Sequence, residues 1–440
     1  MTDPIVEAIG RCNPEEPLGP GDPRWHDFDA VRGSNLHHRL SRDLRGAEAR
    51  RGYCHIALAS QRGCGKSTEL ARVSATVRNE GYLPLYTVVS EEAGSEEIGF
   101  GDVFLLMLRM LETEFRANKR LKPLPEKTVK VVADWFRDVT QSQEQEIERA
   151  IAYQGEATLG PDTPLAKLLF GLTALRKTTG TQREEIRRIV EKYADHLRDN
   201  LNHLLDDARK IAKEAYPRGL LFILDNLDRY PPDMIDNAVL KRSDLFNGVN
   251  AHMIFVVPIS LLHRPPSDPV GDLYQAETLP MITVFQREDP RAVNDRAIDE
   301  VIQAIFKRVD RPLFSDLALA RELARLSGGC PRDLLRLLNE SLLESNERID
   351  GRAVTRAASI LRGEMTRRLT RADFKVLAGV HLDGRIDPDE AGRALLFSRA
   401  ALEYNGERWV GVHPLLWDTP EFKAALEEEK RRRGGILHET

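Results

Sequence analysis

Unbroken apolar runs and helical patterns alternate in the first part of the chain. Cys54–Ala59 is one such run and predicts a buried strand; Leu83–Val89, Leu220–Leu224 and Met253–Val257 predict three more. Between the first two, Lys66–Glu80 predicts a helix that Gly81 ends. Strands parted by helices predict an α/β fold, a parallel sheet flanked by helices.

More than a hundred residues between the second and third strands carry helical patterns only. Phe104–Phe115 and Val129–Phe136 each show an apolar face. In Arg183–Tyr216 the apolar positions are Ile186, Val190, Tyr193, Leu197, Leu201, Leu204, Ala208 and Ile211. Seven steps cover 211 − 186 = 25 residues, or 3.6 per step, the period of an α-helix. Such a helix either packs on its own domain or offers a coiled-coil surface. Asp295–Leu361 is again helical. From about Gly363 the order helix, turn, helix, then the strand Arg408–Val412 predicts a small winged-helix domain. The divisions are residues 1–45, 46–290 with a helical insertion near 101–216, 291–362, and 363–440.

At 440 residues the chain exceeds one ordinary core, and 41% hydrophobic with 30% charged residues excludes a mainly disordered protein. Lys+Arg 64 against Asp+Glu 69 gives −5, which disfavours a nucleic-acid binder that relies on its overall field. No apolar run approaches the roughly 18–20 residues that span a bilayer. The longest, Met253–Leu262, is broken by Pro258 and Ser260. No secretory pattern opens the chain, so no membrane association and a cytoplasmic location are expected. Cys12, Cys54, Cys64 and Cys330 are too scattered for a zinc site or a disulfide framework.

The chemistry concentrates in Ser60-Gln61-Arg62-Gly63-Cys64-Gly65-Lys66-Ser67-Thr68. A loop that cradles phosphates needs backbone N–H groups unobstructed by side chains, which Gly63 and Gly65 provide. Lys66 supplies a cation for the β- and γ-phosphates, Ser67 a ligand for Mg²⁺, and the following helix a positive N-terminus. Arg62, Cys64 and Thr68 complete the binding stretch. Ser60 stands where the pattern's first glycine is expected. The partner element is the strand ending in Asp225, placed to hold the Mg²⁺ hydration shell beside Ser67. Asn226 follows where a carboxylate would orient the attacking water. Asp228 is therefore expected to serve, with slow turnover.

These motifs resemble the P-loop NTPases of the AAA+/STAND grouping, which includes origin-recognition ATPases and NLR-type switches. The resemblance implies an ATPase that binds ATP or ADP with Mg²⁺ and couples nucleotide state to a partner. The segment 1–45 then closes over the nucleotide, with Arg32 and Gly33 of Val31-Arg32-Gly33 at the adenine. Residues 291–362 become a helical lid in which Pro331 opens a helix and Arg332 reaches the γ-phosphate. His413, before Pro414, resembles the winged-helix histidine that meets the β-phosphate of ADP. Val412 and Pro414 depart from that element, and Ser260 is the nearest polar residue to a sensor position. The expected partner is a protein held through the insertion or the winged helix, with homo-oligomers also in view and a role in bacterial defence or signalling. The alternative is a DNA-associated AAA+ ATPase with the winged helix on duplex. Against it, residues 363–440 hold 13 Lys/Arg and 14 Asp/Glu.

Overall fold

The computed structural model describes residues 3–92, 97–139, 192–263, 274–289, 291–404 and 409–436. Its centre is a five-stranded parallel sheet in the order β2-β3-β4-β1-β5. The strands are β1 (His55–Ser60), β2 (Tyr82–Val88), β3 (Gly219–Asp225), β4 (His252–Pro258) and β5 (Gln275–Leu279). The expected α/β fold class is present, a strand–glycine loop–helix unit in a parallel sheet flanked by helices.

Registers of Ser60 with Pro258 and Val88 with Asp225 align the carboxyl ends of these strands along one edge. β4 lies between β1 and β3, so the glycine loop after β1 and Asp225 at the end of β3 flank a crevice. Such a crevice is where open α/β sheets hold ligands. β3 and β4 are buried almost throughout, which is why both read as continuous apolar runs. β5 was not legible as a strand: Gln-Ala-Glu-Thr-Leu is an edge element with two exposed positions at its start.

The described ends of the 101–216 segment lie against the sheet. Phe104, on the helix Phe100–Ala117, stacks on Phe246 at 4.9 Å, and Phe246 meets Phe255 of β4 edge-on at 5.1 Å. The helix Ala194–Ala212 buries Leu197, Leu201, Leu204 and Ala208 in the same core. The periodic stripe therefore continues the sheet's own packing in this part. Ile186 and Val190 lie outside the described residues.

Four helices follow: Asp295–Phe306, Ala318–Leu326, Pro331–Leu343 and Gly351–Thr366. The last runs through Gly363 to Thr366, and Thr370 and Asp373 then form a reciprocal cap on the next helix. Beyond it lie the helices Arg371–Asp383 and Glu390–Ser398, an antiparallel pair β6 (Ala401–Tyr404) and β7 (Trp409–Val412), and the helix Pro420–Ile436. The first and last of these helices pack together through Phe374, Leu377 and Phe422. Among the described residues, no helix is long and apolar enough to cross a membrane.

Candidate functional site

Gly63 and Gly65 have φ of +83° and +93°, the left-handed region that side chains disfavour. A Cβ on Gly63 would come within 2.7 Å of Arg332 Cβ, so bulk is excluded there for a second reason. Gly65 is the cap of the helix Lys66–Asn79, whose N-terminus therefore opens on the crevice. Ser60 occupies the first-glycine position as the last residue of β1, and its hydroxyl is buried.

Lys66 and Asp228 meet inside this loop, Nζ to Oδ2 at 2.6 Å, with the side chains 7% and 1% exposed. Burial is the largest single influence and opposes the charge on Lys66, but the neighbouring anionic groups, Asp228 foremost and Asp225 with it, together hold the ammonium above the ordinary lysine range. Beside them, Asp225 is fully buried and fully engaged. Its Oδ2 accepts from Ser67 Oγ at 2.7 Å and from Tyr86 OH at 2.6 Å, and its Oδ1 from the Asn226 amide at 2.7 Å. Burial and the neighbouring carboxylate push the Tyr86 hydroxyl well above the usual phenol range. Tyr86 is a site residue that the sequence did not reveal. Only the β2–β3 register brings it to Asp225, and no local motif marks it.

The N-terminal segment forms one wall. Leu18 donates its amide to Thr68 Oγ1 at 3.1 Å, and buried Arg32 donates from Nη2 to the Cys64 carbonyl at 2.5 Å. Gly33, at φ +65°, ends the short turn Asp29–Arg32 that aims this guanidinium at the loop. Arg32 thus braces the glycine loop from beneath, and Phe28 packs on it at 5.6 Å. Trp25 and Phe28 line the crevice as apolar walls. No periodicity announced either, because they sit in irregular chain.

A second wall is the helix Pro331–Leu343. Pro331 occupies the first turn of its helix, and the Arg332 amide donates to the Gly63 carbonyl at 3.1 Å. Arg308, close behind Ala304, also lines the crevice, where burial holds its pKa below the ordinary guanidinium value. Arg62 turns away from the loop: its Nε donates to the Asp228 carbonyl at 3.1 Å, and its guanidinium covers Phe397 at 4.4 Å. Together the walls form a cleft open to solvent, lined by residues of the N-terminal segment, the glycine loop, β2, the turn after β3 and the helix Pro331–Leu343.

The C-terminal domain reaches the same loop from behind. Gln61, 3% exposed, donates from Nε2 to the carbonyls of Leu396 (3.0 Å) and Ala401 (2.7 Å). Its Oε1 accepts from the Glu403 amide at 2.8 Å. His413 does not line the cleft. It is fully buried, with Nε2 3.4 Å from Asp333 Oδ2, and its Nδ1 accepts from the Leu415 amide at 3.3 Å. Arg399 lies 3.4 Å from the same carboxylate. Burial penalises the charge on Asp333, yet Arg399 and His413 prevail and hold the carboxyl far below the usual range. Ser260 is buried and likewise stands apart from the cleft lining.

The chemistry of this set suits a polyphosphate with Mg²⁺. The loop offers a left-handed glycine turn at a helix N-terminus, a buried ammonium, and hard oxygen donors in Ser67 and Asp225. Among the described residues no three His, Cys, Asp or Glu side chains cluster for a metal. A divalent ion here would accordingly take most of its ligands from phosphate and water.

No family model matches the sequence, and no curated protein matches it. Solved structures that resemble the fold include three at a TM-score of 0.38. The Aeropyrum pernix ORC2 protein, in ADPNP–ADP complexes, is 12% identical over 91% of this chain and 94% of its own, with TM-score 0.38. Cdc6p from Pyrobaculum aerophilum is 11% identical over 96% and 98%, with TM-score 0.38. The Aeropyrum pernix ORC1 protein, in complex with DNA, is 10% identical over 96% of both chains, with TM-score 0.38. Likeness of that degree leaves the family open, and the functional reading rests on the chain's own residues.

Proposed function

We propose that this chain is an Mg²⁺-dependent nucleotide switch that binds ATP and ADP, hydrolyses ATP slowly, and couples the bound state to the position of its C-terminal domain. The observation that carries this reading is Gln61. One side chain inside the phosphate-binding stretch makes three hydrogen bonds to the backbone of that domain.

In this reading Lys66 and the Gly63–Gly65 backbone hold the β- and γ-phosphates, and Trp25 and Phe28 flank the base. Ser67 and Asp225 hold Mg²⁺, which would neutralise charge developing on the phosphates. Phosphate entering the loop competes with Asp228 for Lys66. The freed Asp228 carboxylate then becomes the group that orients water, and Asn226, which cannot take up a proton, keeps turnover low. Arg332 senses phosphate from the lid. His413 acts one step back, by positioning Asp333 on the same helix. The C-terminal domain, read as a winged helix, is the moving element, and a protein partner is the receiver. Two of its three consecutive arginines are locally paired: Arg432 and Arg433 both bind Glu429, and Arg433 also binds Asp383. That pairing favours protein over duplex DNA as the partner.

Hydrogen exchange on the full chain tests the coupling. ATP and ADP are expected to give different protection to the amides of Leu402–Tyr404, including the Glu403 amide bound to Gln61. Identical exchange there in both states, with both nucleotides bound, would reduce the chain to a plain ATPase.

A further inference from the structure

The cleft contains an anion that the phosphate motif does not explain. Glu15, in the N-terminal segment, places Oε2 2.9 Å from Arg332 Nη2 and 3.5 Å from Arg229 Nη2. These guanidinia come from two different elements. Arg332 stands on the helix Pro331–Leu343 against Gly63, and Arg229 follows Asp228 in the turn after β3. One carboxylate oxygen of the N-terminal segment therefore joins both elements. All three residues line the cleft, together with the Lys66–Asp228 pair.

A triphosphate brings to the cleft one more charged group than a diphosphate does, and that group needs cations beyond Lys66. Of the arginines that line the cleft, Arg332 and Arg229 are the two that Glu15 occupies. Building on the nucleotide reading above, we propose that Glu15 is a specificity-determining residue, a carboxylate placeholder for the terminal phosphate that ATP must displace and ADP need not. Displacement releases Glu15 from the two arginines, while the Leu18–Thr68 hydrogen bond keeps its segment next to the loop. Glu15 is 60% exposed, so its hold on the arginines is screened and weak enough for a phosphate to replace.

The test is calorimetric titration of the full chain with MgATP and MgADP, comparing wild type with Glu15→Gln. Removing the competing charge tightens ATP by roughly three- to fivefold, the size of an exposed ion pair, and leaves ADP unchanged. A merely structural role for Glu15 would move both nucleotides together. Arg332→Gln should abolish the effect of Glu15→Gln when the two are combined. Equal shifts for ATP and ADP, or no shift, overturn the placeholder while leaving the nucleotide reading intact. A wild-type chain that binds neither nucleotide overturns both.

Discussion

Lys66 and Asp228 form a buried ion pair, 2.6 Å from Nζ to Oδ2, in the place where the loop would otherwise present its ammonium to a phosphate. Removing one partner of such a pair leaves an uncompensated buried charge, at a cost of about 3–5 kcal/mol. Asp228→Asn is therefore expected to lower the melting temperature of the nucleotide-free chain. Added ATP should then raise it by more than in wild type, because phosphate replaces the lost anion. Turnover should fall further than in Asn226→Ala. A nucleotide-free variant as stable as wild type would mean the pair is not formed.

Tyr86 gives a second prediction. Its hydroxyl and that of Ser67 share Asp225 Oδ2, so Tyr86→Phe leaves the carboxylate with one donor fewer. A hydrogen bond to a charged group contributes about 1.5–3 kcal/mol. The expected signature is a higher Mg²⁺ requirement for ATP hydrolysis, with nucleotide affinity in EDTA unchanged. Asp225→Asn should show the same signature more strongly. A Mg²⁺ titration that superimposes on wild type would remove Tyr86 from the site.

The Asp333 cluster predicts a pH dependence. Its carboxyl is depressed in the folded chain from the ordinary aspartate value of 3.8, so its contribution is complete above about pH 5. That contribution fades only as pH falls below about 4, toward the depressed folded value. Urea midpoints of wild type and Asp333→Asn should accordingly differ at pH 5, where only the carboxylate remains to be titrated, and converge in stronger acid. A gap that widens between pH 5 and pH 3 would contradict the assignment.

All four cysteines are buried. Burial pushes the thiol of Cys12 up to about 11, and those of Cys54 and Cys330 up to about 12. Native chain at pH 8 should react slowly with a disulfide reagent and release four thiols only after unfolding. Fast labelling of Cys64 in the native chain would show a loop more open than the one described.

Whatever depended on local sequence was legible in advance. Gly63, Gly65, Lys66 and Ser67 announce themselves because phosphate geometry dictates their types and spacing, and Asp225 because an apolar strand ends in it. The Pro331 helix start was equally local. Residues joined only by topology were not legible. Tyr86 depends on the pairing of β2 with β3, and Glu15 comes from irregular chain that meets the lid over 317 positions of sequence. Gln61 was visible as a loop member, but its carbonyl and amide partners at Leu396, Ala401 and Glu403 carry no side-chain signature. β6 was missed for a related reason: four residues including a glutamate, stabilised by a hairpin partner and by the Met281 amide donating to the Glu403 carbonyl at 3.1 Å. His413 was singled out by resemblance, and its neighbours Asp333 and Arg399 emerged only once the domains were packed together.

Calorimetric titration of MgATP into wild type and Lys66→Ala tests the account most directly. Wild type should bind one ATP per chain, and Lys66→Ala, which lacks the buried ammonium facing the phosphates, should show no measurable heat of binding. Equal ATP affinity in the two proteins would contradict the assignment of Gly63–Thr68 as a phosphate site.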